Sequence, residues 1–325
     1  MTHIRLVGPE EAPAVLQIVR AAFSTRPELD PPADALGETE GSIAAALAHG
    51  GLLASYDGNG GGDVDGDGDG DGGFGVGVGG RRDVGALVLD PQGSTLWLRR
   101  VGVLPEVRDH GVATALVAEA LARAEEYDDV AVLAREELPA TSRFWREHGF
   151  VPVGGTSPYV ELRRPAPRTF DVPDADAMRA LGATLAAELR AGDVVVLSGE
   201  LGAGKTTFTQ GLGTGLNVRG DVTSPTFVIS RVHPSRGDGP PLVHVDAYRL
   251  GGVAELDDLD LEMSLDEAVT VVEWGEGIAE GLADDRVEVR IERGLADEAT
   301  GDDGLDPRRV RIAPVGKRWL GCAVS

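Results

Sequence analysis

Cysteine and lysine are almost absent from this sequence. Cys322 is the only cysteine, so no internal disulfide can form, which suits a reducing compartment. No apolar run approaches the roughly 20 residues that a membrane-spanning helix needs. The opening stretch MTHIRLVGPEEAPAV meets charge at once and has no signal-peptide apolar region, so a cytoplasmic protein without a membrane role is expected. Basic charge is also scarce: 30 Lys and Arg face 54 Asp and Glu, a formal net charge of -24. A free-standing DNA or RNA binder would carry a basic face, so no DNA partner is expected. Action on RNA would be indirect, with a partner supplying the phosphate contacts. Of the 30 bases only Lys205 and Lys317 are lysine, which makes a lysine inside a glycine-rich loop stand out.

At 325 residues the chain is long enough for two domains, each with its own core. The first half reads as a strand and helix in HIRLVGPEEAPAVLQIVRAAF, a helix near 42–49 and a strand through GLLASY. Strands follow at 84–89 and 95–103, a helix at 112–126, a strand at 130–134, a helix ending at Gly149, and a last strand to Leu162. Between GLLASY and 84–89 lies the insertion 58–80, rich in Gly and Asp. Asp63, Asp65, Asp67 and Gly68 imitate the start of a calcium loop, but the twelfth position is Phe74 rather than a bidentate Glu. The stretch reads as a flexible surface insertion. RRPAPR then breaks both periodicities. The expected division is a domain at 1–163, a linker at 164–168 and a second domain at 169–325.

In the second domain Asp174 is a plausible N-cap for a helix through DADAMRALGATLAAELRAGD. A buried strand, VVVLSG, runs directly into the loop Gly199, Glu200, Leu201, Gly202, Ala203, Gly204, Lys205, Thr206, Thr207. This matches the phosphate-loop pattern at every defined position, with a strand before it and a helix after it. Glycines let consecutive N–H groups curl around phosphate oxygens, and the helix start adds partial positive charge. Lys205 is placed to reach the β- and γ-phosphates of ATP, and the Thr206 hydroxyl to bind Mg²⁺. Mg²⁺ needs further oxygens. Asp246 in LVHVDAYRL and Glu273 in VTVVEWGE both end apolar strands and are the candidate metal-organising and catalytic carboxylates. Alone, each acid would read as strand-end surface charge. In VTSPTF, the hydroxyls of Thr223, Ser224 and Thr226 either sense a γ-phosphate or cap a strand. Further strands are expected near 227–232, 242–245, 270–273, 287–291 and 310–312.

In order and spacing, GELGAGKTT, TSPTF, HVDAYRL and VVEWGE resemble the TsaE (YjeE) family over roughly residues 170–293. The resemblance implies a P-loop ATPase of the bacterial machinery that makes threonylcarbamoyladenosine on tRNA. It would dock on a TsaB–TsaD heterodimer and support its turnover without touching the modified base. Lys205 and Thr206 fall on the family's phosphate and magnesium residues, Asp246 and Glu273 on its two functional acids. Trp274 matches an aromatic after the second acid. Residues 294–325 receive only a final strand and a tail. A small-molecule kinase is the competing class, but it would need clustered arginines, and Arg231, Arg236 and Arg249 are scattered.

The first half carries VGVLPEVRDHGVATALVAEAL, in which Arg108, Gly111, Val112 and Ala113 open a helix whose N–H groups can hold a pyrophosphate. With FWREHGF thirty residues on, this resembles motif A and the closing elements of the GNAT N-acetyltransferases. The resemblance implies acetyl-CoA as cofactor. Many relatives in that family carry Tyr where Trp145 stands, and their Asn near the start of this helix falls at Leu138. Tyr159 or a water-mediated Glu106 could replace the missing acid, and His110 reads as a surface residue. The domain is therefore either an acetyltransferase or a CoA-binding or structural remnant.

The expected fold class is α/β, a GNAT-like mixed sheet with flanking helices followed by a P-loop NTPase sheet with flanking helices. The expected function is ATP hydrolysis in tRNA modification beside a fused acetyl-CoA domain. The alternatives are an N-acetyltransferase with a regulatory nucleotide-binding domain, or a small-molecule kinase.

Overall fold

The computed structural model describes residues 2–56, 76–77, 81–259, 261, 265–293 and 307–322. The chain divides into two compact units, Met1–Arg163 and Arg164–Ser325.

The first unit contains β1 (Thr2–Val7), α1 (Ala12–Ser24), α2 (Glu40–Ala46), β2 (Gly51–Tyr56), the two-residue β3 (Val76–Gly77), β4 (Arg81–Gln92), β5 (Thr95–Val103), α3 (Val112–Ala122), β6 (Asp129–Arg135), α4 (Pro139–Glu147), β7 (Val151–Gly154) and β8 (Tyr159–Pro165). Helix α1 buries Val15, Leu16, Ile18, Val19 and Ala22, a helical spacing that gives it one apolar face for the sheet. The strand order is β1-β2-β4-β5-β6-β8-β7, with β3 beside β4. The β1, β2, β4 and β5 pairings are antiparallel, whereas β5 and β6 are parallel. That parallel ladder runs only from Thr95↔Asp129 to Trp97↔Ala131. Later residues of both strands line a cavity instead.

The second unit contains β9 (Arg168–Val172), α5 (Ala175–Ala186), β10 (Val194–Ser198), α6 (Lys205–Gly215), β11 (Ser230–His233), β12 (Leu242–Asp246), α7 (Val253–Asp257), β13 (Val269–Glu273), β14 (Arg286–Arg293) and β15 (Arg308–Val315). Its order is β11-β12-β13-β10-β14-β15-β9. The four central strands are parallel and the outer three antiparallel. β10, β12 and β13 are buried on both faces and read as near-continuous apolar runs, whereas β14 alternates buried Val287, Val289 and Ile291 with charged residues. One face packs Val195, Val269 and Val271 against Phe208 and Leu212 of α6. The other packs Val243, Val245 and Val272 against Leu256 and Ala279. After β10 the chain crosses to β12 and β13 on one side and later to β14 on the other. The carboxyl end of β10 is thus the point where the winding reverses, the usual crevice for a ligand in such sheets.

Helix α6 holds Gly211, Gly213 and Gly215, a poor helix former by propensity. Packing overrides that. A Cβ at Gly211 would stand 2.2 Å from Arg179 O, so the glycine lets α5 and α6 lie backbone to backbone.

Several elements differ from the sequence expectation. The strand expected at 227–232 starts only at Ser230, because Val228 N and Ile229 N both donate to Pro225 O and close a turn over 225–229. Helix α3 ends at Ala122, where Arg123 N donates to Ala120 O and tightens the last turn. The closing strand is a hairpin, β7 and β8. Residues 164–168 are not all connector: β8 runs through Pro165 and β9 begins at Arg168. Strand β9 itself was not expected. The final strand extends to 308–315, and a turn at Lys317–Trp319 buries Trp319 completely. The calcium-like residues Asp63, Asp65, Asp67, Gly68 and Phe74 lie outside the described residues, as does most of 58–80.

Candidate functional site

At the end of β10 the chain turns through Gly199 (φ +144°), Gly202 (φ +77°) and Gly204 (φ +113°) before α6 begins at Lys205. These are backbone values that a side chain strains. At Gly199 space forbids one as well, since a Cβ would stand 2.4 Å from Ile291 O on β14. Three guanidinium contacts hold the loop's carbonyls. Arg308 Nε donates to Ala203 O at 3.1 Å, Arg308 Nη2 to Gly202 O at 3.4 Å, and Arg293 Nη2 to Leu201 O at 3.3 Å. Arg293 and Arg308 are register partners on β14 and β15. Carbonyls tied down in this way suit a loop whose amides must serve an anion. Glu200 and Leu201 form its exposed tip, and Thr207 lies half-buried in the first turn of α6.

Lys205 is only 5% exposed. Its Nζ donates to Gly199 O at 2.7 Å and Glu200 O at 2.9 Å, and lies 3.5 Å from the centroid of the Trp274 ring. Burial holds the ammonium below its usual pKa, while the nearby charges of Glu273 and Asp246 oppose that shift. Trp274 adopts φ +61°, uncommon for a bulky residue, and its N–H donates to Leu197 O at 2.9 Å.

The two acids are register partners at the ends of β12 and β13, and both are buried. Glu273 Oε2 accepts from Thr206 Oγ1 at 3.1 Å, and Oε1 faces His244 Nε2 at 2.8 Å. Thr209 Oγ1, which donates to Lys205 O at 3.0 Å, also stands 3.5 Å from Glu273 Oε1. Asp246 Oδ2 accepts from Ser224 Oγ at 2.8 Å and Thr226 Oγ1 at 2.5 Å, and Oδ1 from Tyr248 N at 3.0 Å. The hydroxyl-rich turn therefore anchors on Asp246 through two of its three hydroxyls. Thr223 instead accepts from Arg231 at 3.2 Å. Arg249 stacks on Phe227 at 4.8 Å, so these arginines form no common cluster.

The structure thus brings Lys205, Thr206, Asp246 and Glu273 together. Sequence reasoning missed four neighbours: His244, Thr209, Arg293 and Arg308. His244 was findable, since it stands two residues before Asp246 on a strand and so shares its face. No group of three or more His, Cys, Asp or Glu poised for a metal occurs among the described residues. A Mg²⁺ site needs none, because one or two carboxylates, a hydroxyl and the nucleotide's own phosphates suffice. The hard oxygen donors of Thr206, Asp246 and Glu273 fit that ion.

In the first unit, beyond the short β5·β6 ladder, residues 98–103 and 132–135 line a cavity of about 580 Å³ together with Ala113, Leu138, Trp145 and Tyr159. Helix α3 opens at its mouth with Gly111 in the left-handed conformation (φ +74°). Val112 turns into the core and Ala113 faces the cavity. Arg108 lines the cavity too, with its side chain anchored on α1. Its Nη2 donates to Ala22 O at 3.1 Å and Thr25 Oγ1 at 2.7 Å, capping the end of α1 where a cation is favoured. Of the two candidate acids, Tyr159 lines the cavity, with its hydroxyl 3.4 Å from Arg135 Nη1. Glu106 is absent from the lining and pairs with Arg82 at 2.6 Å. Trp145 is buried edge-to-face against Phe144 and Phe150. His110 is exposed, with Nδ1 2.8 Å from Arg108 O.

Comparison with known proteins agrees with both halves. The family model "Threonylcarbamoyl adenosine biosynthesis protein TsaE" matches residues 172–300, and the model "Acetyltransferase (GNAT) domain" matches 71–152. The tRNA threonylcarbamoyladenosine biosynthesis protein TsaE of Streptomyces coelicolor is 62% identical over 149 residues, 46% of this chain and 97% of the relative. The protein of the same name from Mycobacterium tuberculosis H37Rv is 49% identical over 132 residues, 38% of this chain and 79% of the relative. That of Bacillus subtilis is 38% identical over 142 residues, 43% and 82%. With nearly the whole length of a relative matched at 62% identity by less than half of this chain, the chain belongs to the TsaE family, and it carries a GNAT domain ahead of the TsaE match.

Proposed function

We propose that the second unit binds and hydrolyses ATP with Mg²⁺ and acts in tRNA threonylcarbamoyladenosine formation as the partner of a TsaB–TsaD-type heterodimer. The observation that carries this reading is the convergence of Lys205, Thr206, Asp246 and Glu273 at the carboxyl end of β10. Arriving phosphates offer Lys205 Nζ a better partner than the two carbonyls it now holds, and the ammonium moves onto them. The Thr206 hydroxyl and the two carboxylates form the metal's protein side. Mg²⁺ held there would supply positive charge against the phosphate oxygens during transfer. Glu273, buried yet bonded through both oxygens, is fixed well enough to orient an attacking water. The test is to mix the purified chain with a TsaB–TsaD pair and follow ATP turnover, with Lys205→Ala as control. Turnover that rises with the pair and falls on the order of 10³-fold in the variant supports the reading. A folded Lys205→Ala protein with normal turnover overturns it.

For the first unit the cavity at the parting of β5 and β6, with the start of α3 at its mouth, favours acetyl-CoA binding. Tyr159, on the wall of that cavity, is our candidate to protonate a departing thiolate. Calorimetry with acetyl-CoA tests binding, and transfer to small amines by wild type and Tyr159→Phe tests chemistry. A loss of about 10²-fold or more in the variant is expected. No binding at millimolar acetyl-CoA would reduce the unit to a scaffold.

A further inference from the structure

Glu273 does not hold its orientation alone. His244, at the middle of β12, is 0% exposed, and its Nε2 stands 2.8 Å from Glu273 Oε1. Its other ring nitrogen, Nδ1, has no hydrogen-bond partner. That asymmetry fixes the tautomer. A proton on Nδ1 would be a buried donor facing nothing, and would leave two lone pairs opposed across 2.8 Å. A proton on Nε2 instead donates to the carboxylate and leaves only a bare acceptor. With Oε1 pinned in this way, Oε2 is the oxygen left for Thr206 Oγ1 at 3.1 Å. Register makes the arrangement rigid: His244 pairs with Val271 and Asp246 with Glu273 across β12 and β13, so donor and acceptor sit on one sheet face two residues out of step.

We infer that His244 is a positioning residue of the phosphate site, which aims the Glu273 carboxylate at Thr206 through a buried Nε2–H donor. The inference rests on the nucleotide reading for its functional meaning, but the bond itself can be tested without nucleotide. His244→Leu removes the donor at similar bulk, and His244→Gln returns an N–H donor of comparable reach. With the full chain, kcat for ATP should fall about 10- to 100-fold in His244→Leu while KM changes less than about 3-fold, and His244→Gln should recover most of the loss. In a double-mutant cycle, His244→Leu should add almost nothing to Glu273→Gln. The same cycle read by thermal unfolding without nucleotide should be equally non-additive, and this arm holds even if the wild-type chain hydrolyses no ATP.

Three results would overturn the inference. One is additive losses in the cycle. Another is a KM rise that matches the kcat loss. The third is a His244→Gln protein as impaired as His244→Leu while melting like wild type. Absence of turnover in the wild type would sink the nucleotide reading and leave the thermal cycle to decide on His244.

Discussion

Lys205 Nζ lies over the face of Trp274, 3.5 Å from the ring centroid. A cation there gains about 0.5–2 kcal/mol from the ring's electron-rich face. Together with the carbonyls of Gly199 and Glu200, the ring holds the lysine back on its own loop. On the proposed reading, the phosphates of ATP would draw the ammonium off the indole. Adding ATP should therefore change tryptophan emission, and Trp274→Phe should abolish most of that change while keeping affinity within about 10-fold. An unchanged signal in the variant would show that another tryptophan reports.

The two acids should separate in kinetics. Glu273→Gln keeps its shape and its neighbours but loses its charge beside Thr206, so ATP affinity should survive and turnover should drop on the order of 10²-fold or more. Asp246→Asn should also raise the Mg²⁺ concentration needed for half-maximal turnover, because it disturbs the turn bearing Ser224 and Thr226. A nucleotide titration and a rate against Mg²⁺ for each variant check both. Normal turnover in both would leave them as structural anchors for Thr206, His244 and the turn bearing Ser224 and Thr226.

Helix propensity predicts that Gly211→Ala should stabilise α6 by about 1 kcal/mol. The structure predicts the reverse, since the new Cβ would meet Arg179 O at 2.2 Å and push α5 off α6. A net loss of about 1–3 kcal/mol is expected from overpacking. A melting temperature above wild type would refute the contact.

His233 makes stability sensitive to acid. Burial first, then repulsion from the protonated form of His244 and from Arg231, hold its pKa below the ordinary 6.5, against a hydrogen bond with the backbone of Arg219. A lowered folded-state value means the unfolded chain takes up the proton first. Stability is therefore full above about pH 6.5 and falls as pH drops toward the depressed folded value. Urea unfolding at pH 7.5 and 5.5 should show a larger loss for wild type than for His233→Phe. Equal losses would remove His233 as a source.

What the sequence made legible was contiguous. The phosphate loop lies in nine consecutive residues, and the apolar runs ending at Asp246 and Glu273 announce strands by composition alone. What it hid depends on pairing between distant residues. RTFDV becomes β9 only because β15 lies beside it, Thr169 opposite Arg311. Arg308 serves Gly202 and Ala203 from more than a hundred residues away. The cavity of the first unit depends on where β5 and β6 stop pairing, and no local pattern encodes that. His244 was the exception, visible by strand alternation yet passed over because Asp246 carried the charge.

The match of the family model stops at residue 300, but β15 runs from Arg308 to Val315. A fragment cut at that limit would retain every residue of the phosphate loop and both acids. It would also strip β14 of its outer neighbour across eight paired positions, from Arg286↔Val315 to Arg293↔Arg308, and leave β9 without a strand to join. An unpaired edge of that length invites association with other chains. The carbonyls of Gly202 and Ala203 would lose Arg308 at the same time. The smallest autonomous form of this phosphate site is therefore longer than the span that the family model matches.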